Sequence, residues 1–247
     1  MDRGLYIAMT GAKHTMLEQS VRAHNLANAQ TTGFKADLAN AMSQPVLGGD
    51  GYQSRVYAVA ETPATNFSFG PQNQTGRELD VAIDGDGWMV LQEDNLDEVL
   101  TRAGNLMVDS VGILRAQNGL PVMGTAGPIA IPESEKIEIG ADGTISVRAL
   151  GQGSEALVIV DRIKLVNPAL ESLTKREDGM MVSEAGIEPV DVDVRLRTGF
   201  LEESNVNPVD ELTAVVALAR QYEMQVKMMQ TISELAQSTS RVLQVQV

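Results

Sequence analysis

The sequence contains no cysteine, which excludes a disulfide framework and thiolate metal sites while leaving the compartment open. It holds two histidines and, counting one Trp, four Tyr and four Phe, very few aromatic rings for 247 residues. The 43% hydrophobic content is therefore carried by Val, Leu, Ala and Met, which suits helix seams and thin β-layers better than one thick core. No apolar run is long enough for a transmembrane helix. The first residues, Met1-Asp2-Arg3-Gly4-Leu5, lack the basic-then-apolar layout and small-residue cleavage site of a secretory signal. Basic residues are also scarce, 19 against 33 acidic, for a net charge of −14. Residues 1–35 carry four basic and two acidic side chains and residues 208–247 three and four, which leaves −15 on the middle of the chain. That middle does not suit nucleic acid, whereas the nearly neutral ends suit close helix packing.

What is present is a long C-terminal helical pattern. From Pro208 to Val247 there is no further glycine or proline, and Leu212, Val215, Ala219, Tyr222, Val226, Met229, Ala236, Leu243 and Val247 recur three and four apart. A second stripe runs through Leu218, Met228, Ile232, Leu235 and Val242. Asn207 can cap, Pro208 suits the first helical position, and Asp210 and Glu211 favour the first turn. Such a helix would be about 60 Å long, which points to a coiled coil or helical assembly. The first thirty residues repeat the pattern with Leu5, Met9, Ala12, Met16, Ala23 and Leu26. Gly4 and Gly11 weaken this helix by up to about 1 kcal/mol each, so it needs a partner, and the C-terminal helix is the obvious one. Asn28 to Gly33 ends the pattern, with Asn28 or Gly33 able to supply a left-handed turn.

Between the helices the pattern is β. Residues 36–75 are rich in breakers and read as an extended connection with short strands. From Gly76 onward, strands are expected at 79–83 and 88–91, joined by a tight hairpin at Asp84-Gly85-Asp86-Gly87, and at 99–102, 106–108, 113–116, 121–123, 137–139 and 144–147. Ala156–Val166 reads as one long strand and Val190–Leu196 as an alternating one. The predicted fold is α+β: long N- and C-terminal helices pair as a coiled-coil-like core domain, with a central all-β body inserted between them. The expected divisions are 1–35 (N-terminal helix of the core), 36–75 (linker region), 76–203 (β-rich outer domain) and 204–247 (C-terminal helix of the core).

Catalytic candidates are thin. His14 and His24 lie ten residues apart, about 80° out of register on a helix, and do not share a face for one metal. Asp80, Asp84 and Asp86 do not have the spacing of a calcium loop. Gly151-Gln152-Gly153 precedes a strand and not the helix a phosphate loop requires. Asn66-Phe67-Ser68 is a glycosylation sequon in letters only. No catalytic residue, metal, cofactor, nucleic acid or small-molecule substrate is expected. An interacting subunit is, and a heterologous contact between copies would build a ring or filament.

At both ends the residues resemble a known family. Leu5-Tyr6-Ile7-Ala8-Met9-Thr10-Gly11-Ala12, then His24-Asn25-Leu26-Ala27-Asn28-Ala29-Gln30-Thr31-Thr32-Gly33-Phe34-Lys35, is similar to the start of the rod-and-hook family of bacterial flagellar axial proteins. Leu201-Glu202-Glu203-Ser204-Asn205-Val206-Asn207, Val209-Asp210-Glu211-Leu212 and Arg220-Gln221-Tyr222-Glu223 resemble its C-terminal motif, and 79–88 with 101–106 its first β-body strands. His24 and Trp88 depart from the family's usual Asn and Phe, and Asn105-Leu106 from its Gly-x-Phe. Met1-Asp2, Ala8–Ala12 and Ala36–Val46 look most like the proximal-rod members, with the distal-rod members next.

The resemblance implies a non-enzymatic structural subunit of the periplasm-spanning basal-body rod. Such a subunit is exported unfolded by the flagellar type III apparatus. It assembles helically with copies of itself and with proximal and distal rod proteins, transmits motor torque and encloses the export channel. On this reading Asn25, Asn28, Thr32, Gly33 and Phe34 shape the helix exit, and Asn205, Val206, Asn207 and Pro208 shape the start of the last helix. The seams Leu5–Leu26 and Leu212–Leu243, with Val215, Leu218, Tyr222, Val226, Met229 and Leu235, hold the core. A β-domain enzyme with helical dimerisation arms and a non-flagellar coiled-coil adaptor or secretion chaperone are the competing readings.

Overall fold

A computed structural model describes residues 3–39, 41–45, 56–60, 64–149, 157–186 and 188–245. The chain begins with helix α1 (Arg3–Ala27) and ends with helix α2 (Pro208–Val245). Between them, in order, come β1 (Asp37–Leu38), β2 (Ala41–Pro45), β3 (Val56–Ala60), β4 (Ala64–Thr65), β5 (Gln72–Gln74) and β6 (Val81–Asp84). β7 (Trp88–Gln92), β8 (Glu98–Thr101), β9 (Leu106–Val108), β10 (Leu114–Ala116), β11 (Ser134–Ile139) and β12 (Thr144–Ala149) follow. The series closes with β13 (Val158–Arg162), β14 (Leu165–Val166), β15 (Leu173–Lys175), β16 (Met181–Ser183), β17 (Arg195–Thr198) and β18 (Phe200–Glu202). The fold is α+β, with two long helices and a β-rich body between them in sequence. By contact the chain divides into two compact units: Met1–Ala29, Ala36–Asn66 and Val206–Val247 form one, Gln30–Lys35 and Phe67–Asn205 the other.

In the first unit the helices pack side by side. Arg22 bonds Glu211, and the Gly11 Cα lies against Gln225, so the pairing runs antiparallel. A Cβ on Gly11 would stand 3.3 Å from Gln225 Nε2, and Ala8, Ala12 and Thr15 are the buried neighbours on that face. Small side chains let the two backbones approach closely. Thr10 and Thr15 turn their hydroxyls back onto the carbonyls of Ile7 and Gly11, which hides polar atoms that would otherwise be stranded there. The ladders β1–β4 and β2–β3 complete this unit, with β3 beside α1.

In the second unit every strand pair is antiparallel. A five-stranded sheet runs β14-β7-β8-β16-β15, a three-stranded one β11-β12-β13, and β6, β5 and β9 pair with β17, β18 and β10. Strand β7 shows why the body holds together with so few rings. Its alternate residues Met89 and Leu91 enter a large core with Val81, Ile83, Leu106, Leu114 and Ile145, while Trp88 and Val90 enter a second core with Leu100, Val166 and Met181. Both faces are buried, so β7 reads as a continuous apolar run.

Three expectations for the β-body are corrected. Residues 84–87 are not a hairpin: β6 pairs with β17 and β7 with β8, and Gly85 and Gly87, at φ of 88° and 131°, turn the chain from one ladder to the next. The stretch read as one strand over 156–166 is two, β13 against β12 and β14 against β7. Between them the amides of Ile163 and Lys164 bond Gly143 O and Met123 O, and the Asp161-Arg162 and Lys164 interruptions of the apolar-rich stretch mark the corner. Residues 190–194 are not strand, because Asp191 Oδ1 accepts from the Asp193 amide in a local turn and the ladder begins only at Arg195. Pro121–Met123 makes single bridges, and Gly151-Gln152-Gly153 lies outside the described residues.

Candidate assembly site

The asparagines of the terminal motifs have defined work. Asn25, fully buried at the last turn of α1, donates to Asp37 O (2.8 Å) and Glu211 Oε1 (3.2 Å) and accepts from Asp37 N (2.9 Å). Its amide thus copies a strand partner for Asp37 while tying α2 to α1. Glu211, itself buried, also receives Arg22 at 3.2 Å, and His24 Nδ1 sits 3.2 Å from Asp37 Oδ2. Asn28 closes α1 on one carbonyl: its side-chain Nδ2 (3.0 Å) and its backbone amide (3.1 Å) both donate to His24 O. At the other end, Asn207 Oδ1 caps α2 through Val209 N (3.1 Å), and its Nδ2 holds Asp210 (2.7 Å).

In the second unit, the segment Thr32 to Lys35 meets Glu202 to Asn205. Gly33, at φ 70°, donates to Glu202 O (2.8 Å), and a Cβ there would lie 2.4 Å from Ala103 N. Thr32 is half-buried beside it. Phe34 is buried with Lys175 Nζ 3.8 Å from its ring centre. Lys35 reaches Glu202 Oε1 (2.7 Å) and Ser68 O (2.8 Å), and Arg102 takes Glu202 Oε2 (2.7 Å) plus the carbonyls of Gly85 and Gly87. Asn205, half-buried, donates to Ser68 O and Oγ, and its own amide to Phe34 O. All three charges of the Lys35–Glu202–Arg102 triad are inaccessible to solvent. Burial pushes the Lys35 amine below its ordinary value more than Glu202 restores it, with Arg102 adding repulsion. For Glu202 burial acts upward, but Arg102 and Lys35 together outweigh it and hold the carboxylate below its usual range.

Glu202, Arg102, Glu211 and Asp37 were not anticipated. Periodicity ignores charged residues, and the family motifs contained Lys35, Arg102, Glu202 and Glu211 only as letters.

The helix faces differ from the predicted seams. Ala12 and Leu218 are buried, Leu5, Leu26, Val215, Val226 and Met229 half-buried, and Val206 is buried just before α2. Met9, Met16, Leu212, Tyr222 and Leu235 stand on the exposed side, Met16 at 63% and Leu235 at 61%. On α1 the buried positions are small, Ala8, Ala12 and Thr15 beside Gly11, so the larger Met9 and Met16 fall outside them. The exposed residues form stripes of their own. On α1 they are Tyr6, Met9, Met16 and Leu17, and on α2 Val209, Leu212, Val216, Met224, Met228 and Leu235, each set on the side of its helix away from the buried residues. Among the described residues no group of three His, Asp or Glu could hold a metal, and no helix is long and apolar enough to cross a membrane.

Three family models match the chain: flagella basal body rod protein over residues 5–35, flagellar hook protein FlgE/F/G D1 domain over 82–147, and flagellar basal body rod FlgEFG protein C-terminal over 197–242. The chain is 39% identical over 241 residues to the flagellar basal-body rod protein FlgF of Salmonella typhimurium, covering 95% of each. It belongs to the FlgF family of flagellar basal-body rod proteins. FlgF of Escherichia coli is 38% identical over 98% of this chain and 99% of its own. The basal-body rod protein FlgG of Bacillus subtilis is 29% identical over 96% and 97%, a more distant likeness. As a FlgF-family chain it is a structural subunit of the flagellar basal-body rod and not an enzyme. The two terminal matches contain the Asn25, Lys35, Glu202 and Glu211 contacts described above.

Proposed function

We propose that this subunit builds the proximal rod by helical assembly with copies of itself and with other axial proteins. The observation that carries the reading is the exposed apolar stripe on each of two helices already packed together on their other faces. Large apolar side chains left exposed along both helices mark a surface that neighbours can cover. The helical unit (1–29, 36–66 and 206–247) is the core domain, and neighbouring subunits cover Tyr6, Met9, Met16, Leu212, Met224 and Leu235, giving a coiled-coil-like bundle around an export channel. The acidic β-rich unit keeps subunits soluble before assembly. The helices dock after delivery through the flagellar type III apparatus, and the finished bundle carries torque.

The test is Met16→Asp and Leu212→Asp in the full chain, in cells lacking the native copy. Both positions are exposed, so the purified variants are expected to melt within about 0.5 kcal/mol of the parent, as surface changes do, yet to be missing from isolated basal bodies. Normal incorporation of both would overturn the reading.

A further inference from the structure

The three-stranded sheet β11-β12-β13 ends in an edge that the described residues of its unit leave open: β13 pairs with β12 alone. At its start Leu157, Val158 and Ile159 are 46%, 53% and 69% exposed, the longest run of exposed large apolar side chains among the described residues. Successive side chains of a strand point to opposite faces, so a strand with one face on a core shows only every second residue. Here neighbours on both faces are bare. Edge strands are normally blunted by a charge or a proline, and residues 157–160 hold neither.

Two features bound the open stretch. The β12–β13 register skips Val160, a bulge that bends the strand and ends its regular part. Past the bulge the Thr125 amide donates to Asp161 Oδ1 (3.2 Å) and Gly124 bridges Ile163, so that end is covered. What remains is Leu157-Val158-Ile159, a short apolar stretch symmetric about Val158. Its chemistry selects its mate. The middle of the chain carries a net −15, so two such bodies repel except where charge is absent. Other edge strands of the same unit do not match: β11 carries Glu135, Lys136 and Glu138, β15 carries Lys175, and β17 carries Arg195 and Arg197. An uncharged apolar edge is matched by another of its kind, and β13 of a second copy is one.

We propose that β13 pairs antiparallel with β13 of a second copy of this chain, across a two-fold axis at Val158. Leu157 of each copy then faces Ile159 of the other, and the two Val158 side chains face each other, so every cross-strand pair in the stretch is apolar. Centring the pair on Ile159 instead would set Leu157 against Asp161, which disfavours that register. The contact is isologous: it uses each edge once and closes as a dimer. With three residues a side it is small, so the dimer is weak and dissociates on dilution. It belongs to the free chain and does not rest on the rod reading.

Sedimentation equilibrium of the purified full chain is expected to show a reversible monomer–dimer equilibrium in the parent and monomer alone in Ile159→Lys, which puts a charge on the edge. The position is exposed, so the variant should melt with the parent. The natural absence of cysteine allows a check of the register. Val158→Cys should give a disulfide-linked dimer under mild oxidation, since facing Cβ atoms in such a pair lie within disulfide reach. Val111→Cys, more exposed at 79%, should link far more slowly. A parent that stays monomeric at its highest soluble concentration, or a dimer that survives Ile159→Lys, overturns the proposal. So does a Val158→Cys chain that links no faster than Val111→Cys. A dimer kept in Ile159→Lys but lost in Met16→Asp or Leu212→Asp would overturn it while leaving the helical stripes and the rod reading intact.

Discussion

Replacing Glu202 by Gln keeps the shape of the side chain but leaves Lys35 and Arg102 buried together without a counter-charge. Removing one partner of a buried ion pair costs about 3–5 kcal/mol, because the remaining charge cannot return to water. Lys35→Met removes a charge from the same cluster but leaves the Arg102–Glu202 pair balanced, and its cost is expected to stay within about 2 kcal/mol, the loss of two hydrogen bonds partly offset by relief of a buried amine. Urea unfolding followed by the fluorescence of Trp88, the sole tryptophan and a member of the second core, measures both. With a urea dependence of about 2 kcal/mol/M, Glu202→Gln should move the midpoint down by about 1.5–2.5 M. The pH profile adds a sign. Glu202 is held below the ordinary carboxylate range, so its contribution is complete above the unfolded value of 4.5 and is lost as pH falls through the lower folded value. That acid limb should vanish in Glu202→Gln. Lys35 works the other way: its folded value lies below 10.5, so its charge costs stability at neutral pH and that cost is relieved as pH rises toward 10.5. A Lys35→Met variant less stable than Glu202→Gln, or a Glu202→Gln loss under about 1 kcal/mol, would refute the reasoning.

Asn25→Ala removes three hydrogen bonds, two to the Asp37 backbone and one to Glu211, and at about 1 kcal/mol per lost bond it should lower stability by roughly 2–4 kcal/mol; hydrogen exchange at Asp37 and Leu38 reads the local effect. Gly33→Ala forces a Cβ against the Arg102–Ala103 backbone at a left-handed φ, and should cost more than the roughly 1 kcal/mol of the conformation alone, seen as a fall in thermal midpoint. Leu218→Asp places a charge on the buried face of α2, and is expected to abolish incorporation into basal bodies while the β-body keeps its near-ultraviolet dichroism; normal motility in that variant would remove Leu218 from the seam.

Both long helices and the β-body between them were legible, because Asn28 to Gly33 and Asn207-Pro208 mark the helix limits, with helical apolar spacing outside those limits and strand-and-turn patterns inside them. The packed face was not. Ala8, Gly11 and Thr15 carry the contact, and hydropathy assigns them little weight beside Met9 and Met16. The ion triad joins positions 35, 102 and 202, and nothing local relates three charges so far apart in sequence. The left-handed turn at Gly33 was legible, whereas the buried Lys35–Glu202 pair within the Gly-Phe-Lys and Leu-Glu-Glu motifs needed coordinates.

The most direct test is amide hydrogen exchange of α1 and α2 in the purified chain and again in assembled basal bodies. The account expects the exposed-stripe segments around Met9, Met16, Leu212, Met224 and Leu235 to exchange readily in the free chain and to become strongly protected on assembly. Equal protection of both helices in the free and assembled states would contradict it, since the stripes would then have no neighbour to cover them.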